Sequence, residues 1–424
     1  MFKWSDSHKQ LRMMLRKFVD AEVVPQIDAI EHEGAPPYDV LRKFWKTFGI
    51  GDMLVGEYKA RRKKAEARAA AGGSGSGGGE AADAGSKKKP DPSAALDQGA
   101  MRALPIIELS RHSAGMVTAL GVSMGLTPNA IIARGTPAQQ DAYVPALLTL
   151  DKIGAWAITE PGSGSDAFGA MRATAKPDGD DHFILNGNKT FITNGPYADV
   201  IIFICKLDRG EPPERRKIVS FILDGEMEGL ERSKPLRKMG LHGSPTGEIF
   251  ASDLRVPISR LVGERVDDED AGSARDDAKK TFTAERSGVL AMALGMIERA
   301  QELSLEYART RVQFGKPIGE RQLIQLKLAK MEVARQNVEN MLFKTIESTA
   351  HGEPPDIAAA SAGKLYAAQA AMEVCLEAVQ VFGGNGYMAE YRVEQLARDA
   401  KVLQIYGGTD EIQVSQIARS LLWR

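Results

Sequence analysis

Residues 181–195, DHFILNGNKTFITNG, break the rhythm of the chain. Before them, apolar residues recur every three or four positions, as on one face of a helix; here they alternate with polar ones, the period of a β-strand. Asn186-Gly187 falls between the two apolar runs and reads as a hairpin turn, because that pair suits a two-residue loop with positive φ. Side chains alternate along a strand, so Phe191 and Thr193 are expected on the same side, where a flat ring could pack. Further strands are expected in ADVIIFICKL (198–207), RKIVSFILDG (216–225) and GEIFASDLRVP (247–257), each closed by turn residues. Residues 152–275 therefore read as a middle β domain, a barrel or a sandwich.

Helical patterns flank it. In SDSHKQLRMMLRKFVDAEVVPQI (5–27), Leu11, Met14, Leu15, Phe18 and Val19 share a face. Ser5 or Asp6 can cap this helix, and Pro25 is expected near its end. PPYDVLRKFWKTFG (36–49) reads as a second helix, and residues 104–148 stay helical between Gly and Pro breaks. Together they form an N-terminal helical domain, 1–151. Within it, residues 59–92 are a low-complexity insertion of Gly, Ala, Ser, Lys and Arg. Its start can extend a charged helix; its Gly/Ser part has too little to bury to offset the entropy of ordering. After the strands, VDDEDAGSARDDAKK (266–280) reads as a charged connector. Three long helical patterns follow, and a last helix begins beyond Thr409. Residues 276–424 are thus a C-terminal four-helix bundle. The fold class is α+β, in the order helices, strands, helices.

Composition narrows the function. Of 424 residues, 43% are hydrophobic and 26% charged, with a formal net charge of −1. That balance gives no overall pull toward nucleic acid or an anionic membrane. No run is expected to reach the ~20 apolar residues of a membrane span, and the first residues lack the apolar core of a signal peptide. The two cysteines, Cys205 and Cys375, lie in apolar stretches and read as buried free thiols, which suits a reducing, cytoplasmic setting. The six histidines form no metal-ligand spacing, so no metal is expected.

Several short motifs suit a ligand. AWAITEPGSGSDAFGA (155–170) joins Gly-rich turns to the hydroxyls of Thr159 and Ser165, fit for a phosphate or a heteroaromatic edge. RTRVQFG (309–315) and RQLIQ (321–325) set Arg311, Gln313 and Gln322 around a helix break. QVFGGNGY (380–387) ends a helix in paired glycines. LQIYGGTDEIQ (403–413) opens the last helix with Gly407, Gly408 and Thr409, where free N–H groups can meet an anion or a carbonyl. Taken singly, each also reads as ordinary turn or capping chemistry.

Taken together, and in this order, AITEPGSGSD, KTFITNG, KMGLHGSPTGEI, RTRVQFGKPI, QVFGGNGY and RDAKVLQIYGGTDEI strongly resemble the acyl-CoA dehydrogenase family. The resemblance spans roughly residues 5–424 without the insertion. It implies FAD as cofactor, an acyl-CoA substrate, an electron-transfer flavoprotein as electron acceptor and a homotetramer. By matching, Trp156, Ile158, Thr159 and Ser165 would face the flavin, with Ser165 also near the substrate, and Phe191 and Thr193 would pack on its ring. Arg311, Gln313, Gln322, Gln380, Gly383 and Gly384 would hold the adenine dinucleotide part, much of it on a neighbouring subunit. Thr409 and Glu411 would reach the same cofactor.

The family's reaction takes an α-proton and a β-hydride from an acyl thioester, so it needs a carboxylate base and N–H donors for the thioester oxygen. Most relatives carry the base where this chain has Gly407. The long-chain and isovaleryl type places it on the long helix opening the C-terminal domain, which here is Glu285, in FTAERSG. The resemblance therefore implies Glu285 as base, the Gly407 N–H as thioester donor beside Gly408, and Arg286 on the CoA portion. A glutamate in a first helical turn also favours the helix dipole without any catalysis. Two other readings compete: an acyl-CoA oxidase, which usually has an extra C-terminal domain, and an idle family member binding nucleic acid or a partner through residues 59–92.

Overall fold

The computed structural model describes residues 3–70, 92–265, 271–353 and 356–423. Helix α1 (Asp6–Phe18) starts at Ser5, whose hydroxyl accepts the His8 N–H at 3.3 Å while His8 Nδ1 accepts the Ser5 N–H at 3.0 Å. Pro25 does not stop the chain. A π-turn (Val19–Val23) and a 3₁₀ turn (Val24–Gln26) carry it into α2 (Ile27–His32). Pro25 stands in the first turn of the 3₁₀ segment, where its missing N–H costs no bond. Next come α3 (Tyr38–Thr47), α4 (Ile50–Ala70), α5 (Pro92–Ser110), α6 (Ala114–Gly121), α7 (Thr127–Arg134) and α8 (Pro137–Leu148). The charged start of the 59–92 segment does prolong α4 to Ala70; its Gly/Ser part, 71–91, lies outside the described residues.

One expectation changes here. A π-turn (Val122–Leu126) joins α6 to α7, and the helical run Ala114–Arg134 is long and apolar enough, by length and composition, to cross a membrane. No such run was expected, because Gly, Ser, Thr and Asn interrupt its apolar residues. In the fold its first part belongs to the core, with Ala114, Met116 and Ala119 buried, whereas in its second part Ile131 is buried and Asn129, Ile132 and Ala133 are exposed.

The middle strands form one mixed seven-stranded sheet. It comprises β1 (Gly154–Ala157), β2 (Thr174–Asp178), β3 (His182–Thr193), β4 (Val200–Leu207), β5 (Ile218–Asp224), β6 (Leu230–Arg232) and β7 (Thr246–Pro257). The order is β1-β4-β2-β3-β7-β6, with β5 on β4; β1 and β2 run parallel to β4. Asn186-Gly187 is not a hairpin turn. β3 runs straight through it, and the turn from β2 lies at Gly179, φ 70°. Glycine is needed at 187 for close approach: a Cβ there would sit 2.5 Å from the Ala173 Cβ. Asn186 instead bonds Asp253 across a bulge, at 2.9 Å both to its carboxylate and from its N–H.

The C-terminal part begins inside the expected charged connector, at α9 (Ala271–Thr310); residues 266–270 lie outside the described residues. A small hairpin, β8 (Val312–Gln313) and β9 (Lys316–Pro317), leads to α10 (Gln322–Ala350), α11 (Ile357–Phe382), α12 (Val393–Val402) and α13 (Asp410–Leu422). α11 packs on α9, α10, α12 and α13. The first and last helical parts share a core in which Leu104 and Ile107 of α5 join Ala293 and Ile297 of α9. A Cβ on Gly295 would lie 2.2 Å from the Ile107 carbonyl oxygen, so α5 and α9 touch backbone to backbone. The sheet keeps its own core around Leu185, Phe203 and Phe221.

Candidate active site

The end of β3 makes the first wall. Phe183, Leu185 and Lys189 share the inward parity of the strand and are buried. Then the register against β7 shifts between Lys189 and Ile192, and Phe191 takes φ 57°. A bulky residue in this left-handed region is an outlier, tolerated where the surroundings enforce it. The bulge reverses the strand's phase. Ile192 and Asn194 become the buried residues, Phe191 stays 69% exposed and Thr193 half-buried. Trp156 on β1 is half-buried and Ile158 just past its end is buried; Thr159 is half-buried and Ser165 exposed in the loop beyond.

That loop is fastened by a residue pair the sequence reading passed over. Lys189 Nζ, without accessible surface, donates to Glu160 at 2.8 Å and to the Ile158 carbonyl at 3.1 Å. Glu160 also accepts the Arg172 and Ala173 N–H groups at 2.7 and 2.9 Å, and the Thr190 N–H meets the Thr159 carbonyl at 2.9 Å. Burial pushes the Lys189 ammonium below its usual range, opposed by its bond and attraction to Glu160. A lysine on the apolar parity of a strand was the available signal.

Asn194 is the second missed residue. It is fully buried at φ 64°, a conformation Asn tolerates better than most. Its Nδ2 donates to the Ala119 and Gly154 carbonyls, both at 2.9 Å, and its Oδ1 accepts the Tyr38 hydroxyl at 3.0 Å. One side chain thus ties α3, α6 and β1 to the end of β3.

The 238–246 loop wedges between helices. A Cβ on Gly240 would lie 2.6 Å from the Arg398 backbone, and one on Gly115 2.9 Å from Gly243. Buried Asp399 accepts the Leu241 N–H at 2.5 Å, and His242 pairs with buried Glu31 at 3.2 Å. Burial, and then the Glu31 charge, push Asp399 up to about 7. Glu31 holds His242 up at about 9, and burial draws Lys238 down to about 8.

The second wall is the turn before α13. Gly407 and Gly408 take φ 61° and 89°, and Thr409 caps α13 by accepting the Ile412 N–H at 3.3 Å. Glu411 is exposed in the first turn, where its own backbone N–H and the Thr409 hydroxyl hold its carboxyl below the usual range. Behind the turn stand two more missed residues, Lys364 and Gln413, both fully buried. The Tyr406 hydroxyl meets Met292 Sδ at 3.2 Å, which seats the turn beside α9. Glu285 belongs to α9, but its side chain lies outside the described residues; Arg286 is buried.

The remaining candidates are on the surface. Arg311, Gln313 and Gln322 are exposed around the β8–β9 hairpin, as are Gln380, Gly383 and Gly384 at the end of α11. Phe314 at the hairpin tip is 93% exposed.

Residues 155–254 match the family description acyl-CoA dehydrogenase, middle domain, and residues 275–422 match acyl-CoA dehydrogenase, C-terminal domain. The chain is 38% identical over 319 residues to a short-chain-specific acyl-CoA dehydrogenase of Megasphaera elsdenii, covering 75% of this chain and 81% of that one. It is 33% identical over 421 residues, 99% of both chains, to a 3-(aryl)acrylate reductase of Clostridium sporogenes. Among solved structures it is similar to butyryl-CoA dehydrogenase from Megasphaera elsdenii, with a TM-score of 0.82 and 31% identity over 100% of both chains. Fold and relatives define a flavin-dependent oxidoreductase built as helices, sheet and helices. The chain belongs to the acyl-CoA dehydrogenase family, whose members use FAD and act on acyl-CoA.

The residues present fit FAD. An exposed aromatic in a strained conformation, Phe191, offers a face to a flat ring next to a hydroxyl, Thr193. Gly162, Gly164, Gly383 and Gly384 have open space where a Cβ would stand, so a ligand can approach their backbone closely.

Proposed function

We propose that this enzyme dehydrogenates an acyl-CoA to the trans-2-enoyl-CoA, with Glu285 as the base and the Gly407 turn as the thioester site. The observation that carries the reading is the turn itself. Position 407 has no side chain, and among the described residues no acceptor meets the N–H of Gly407 or Gly408. Such free donors suit the negative charge that develops on a thioester oxygen as the α-proton leaves. The base must then come from another element. Met292 fixes α9 beside this turn, and Glu285 lies on the same face of α9 two turns earlier, about 10 Å along the axis. Bound FAD supplies the hydride acceptor. Phe191 and Thr193 present its binding face, and the Glu160–Lys189 pair holds the adjoining loop in place. The adenine-side candidates lie at the β8–β9 hairpin and the end of α11, which supports a homotetramer in which a second copy completes each site. Electrons pass on to an electron-transfer flavoprotein.

The test is anaerobic bleaching of the bound flavin by a panel of acyl-CoAs, with wild type beside Glu285→Gln. The panel includes 3-phenylpropionyl-CoA, because one relative is named for an arylacrylate. Bleaching in wild type and its loss in the variant, at equal FAD content, support the reading. Equal bleaching in both removes Glu285 as base, and no bleaching with any chain removes the dehydrogenase reading.

A further inference from the structure

Lys364 stands in the first third of α11 without accessible surface. A buried ammonium is costly unless its donors are used. Its Nζ donates to the Gly408 carbonyl at 2.8 Å and lies 3.5 Å from Asp410 Oδ1. From α13, Gln413 Nε2 donates to the Gly407 carbonyl at 3.2 Å and the Gly408 carbonyl at 2.8 Å. Two helices therefore meet on the Gly408 carbonyl, and Gln413 alone also holds the Gly407 carbonyl. In a planar trans peptide the N–H points opposite to the C=O. Holding the Gly407 carbonyl fixes the Gly408 N–H, and holding the Gly408 carbonyl fixes the Thr409 N–H, both away from the clamp. The fit is tight: a Cβ on Gly408 would lie 2.7 Å from Gln413 Nε2.

We propose that Lys364, together with Gln413, is the positioning residue of the acyl-binding turn. From behind, the pair aims the Gly408 and Thr409 N–H groups at the thioester carbonyl. A charged donor on a carbonyl also polarises its peptide, which makes the N–H at the other end a stronger donor. The inference rests on placing the thioester at this turn, as proposed above. It explains how a turn without functional side chains keeps a fixed donor geometry despite two glycines.

The test uses FAD-loaded enzyme, Lys364→Met and Gln413→Leu, and crotonyl-CoA carrying a ¹³C carbonyl. Isotope-edited infrared spectra read the bound carbonyl directly. In wild type the carbonyl band should move to lower frequency on binding. In each variant at least about half of that shift should be lost, and kcat with the best acyl-CoA should fall roughly 10–100-fold while KM changes less than about threefold. FAD content should match wild type. If wild type shows no shift, the thioester does not sit on these amides, and the functional reading fails together with the inference. If wild type shifts and both variants shift equally, Lys364 and Gln413 only support the fold, and the inference alone fails. Should Lys364→Met not fold, Gln413→Leu decides by the same spectrum.

Discussion

Replacing Lys189 by Met removes a cation and leaves most of its stem volume in place. The stranded partner, Glu160, is buried and keeps its two backbone donors, Arg172 and Ala173, at 2.7 and 2.9 Å. Breaking one side of a buried ion pair costs roughly 3–5 kcal/mol. The two retained N–H bonds compensate part of the exposed charge, so the low end, about 3 kcal/mol, is expected. The cost should be local, because the pair joins β3 to the 159–166 loop. The Thr190 amide, bonded to the Thr159 carbonyl, is the natural reporter. Its hydrogen exchange should accelerate by about a hundredfold, since each 1.4 kcal/mol is about tenfold. Adding Glu160→Gln to Lys189→Met removes the stranded charge and should recover more than half of the loss, giving strong coupling in a double-mutant cycle. FAD retention should follow the same order. The reasoning is refuted if Lys189→Met leaves Thr190 exchange within about threefold of wild type, or if the two substitutions act additively.

Asn194→Gly keeps the left-handed backbone but removes one partner from the Ala119 and Gly154 carbonyls and from the Tyr38 hydroxyl, the Ala119 carbonyl keeping the Val122 N–H. A loss of about 3–5 kcal/mol is expected in urea unfolding, and a change under 1 kcal/mol would contradict the hydrogen-bond account. Phe191→Gly relieves the φ of 57° while deleting the exposed ring. The FAD-free protein should gain about 1 kcal/mol and the holoenzyme should lose FAD more readily on dialysis; a tighter holoenzyme would show that the ring is not part of the flavin site. The 238–246 junction sets a pH dependence. Asp399 rises from 3.8 to about 7 and His242 from 6.5 to about 9, so the folded state binds more protons than the unfolded. Stability then falls as pH rises, through about 7 for Asp399 and through about 9 for His242. Lys238, drawn down to about 8, acts with the opposite sign above about pH 8, and His112, drawn down to about 3, does so below about pH 6.5; calorimetric Tm should therefore decline from pH 6.5 to pH 8, and Asp399→Asn should flatten the lower part of that slope. A Tm that rises across this range contradicts the sign.

Long-period features were readable from the sequence. The helices–strands–helices order, the Ser5 cap and the start of the last helix at Thr409 all follow from apolar spacing and capping chemistry, which act locally. What escaped depends on contacts far apart in the chain. Asn186-Gly187 has the composition of a turn, but Ala173, which it must pass closely, stands just before another strand. Pro25 looks like a stop because a π-turn leaves no pattern of its own. At the site, the motifs drew attention to residues that could touch a ligand. They gave no view of those gripping from behind: Lys364 and Gln413 sit in ordinary helical sequence, and only folding shows that both end on the Gly408 carbonyl. The parity of β3 misled in the same way. Phe191 and Thr193 have the phase of Phe183 and Leu185, and only the bulge turns them outward.

That bulge has a consequence for which kinds of genetic change β3 can absorb. Its extra residue works as a phase switch in the strand, placing Lys189 inside, Phe191 outside and Asn194 inside again over a few positions. Loss of a single residue between Lys189 and Asn194 would undo the switch and exchange the two faces beyond it. The buried cation, the exposed ring and the tying amide would all be misassigned at once. A substitution in this segment removes one of these contacts at a time, whereas a change of length by one residue displaces all three at once.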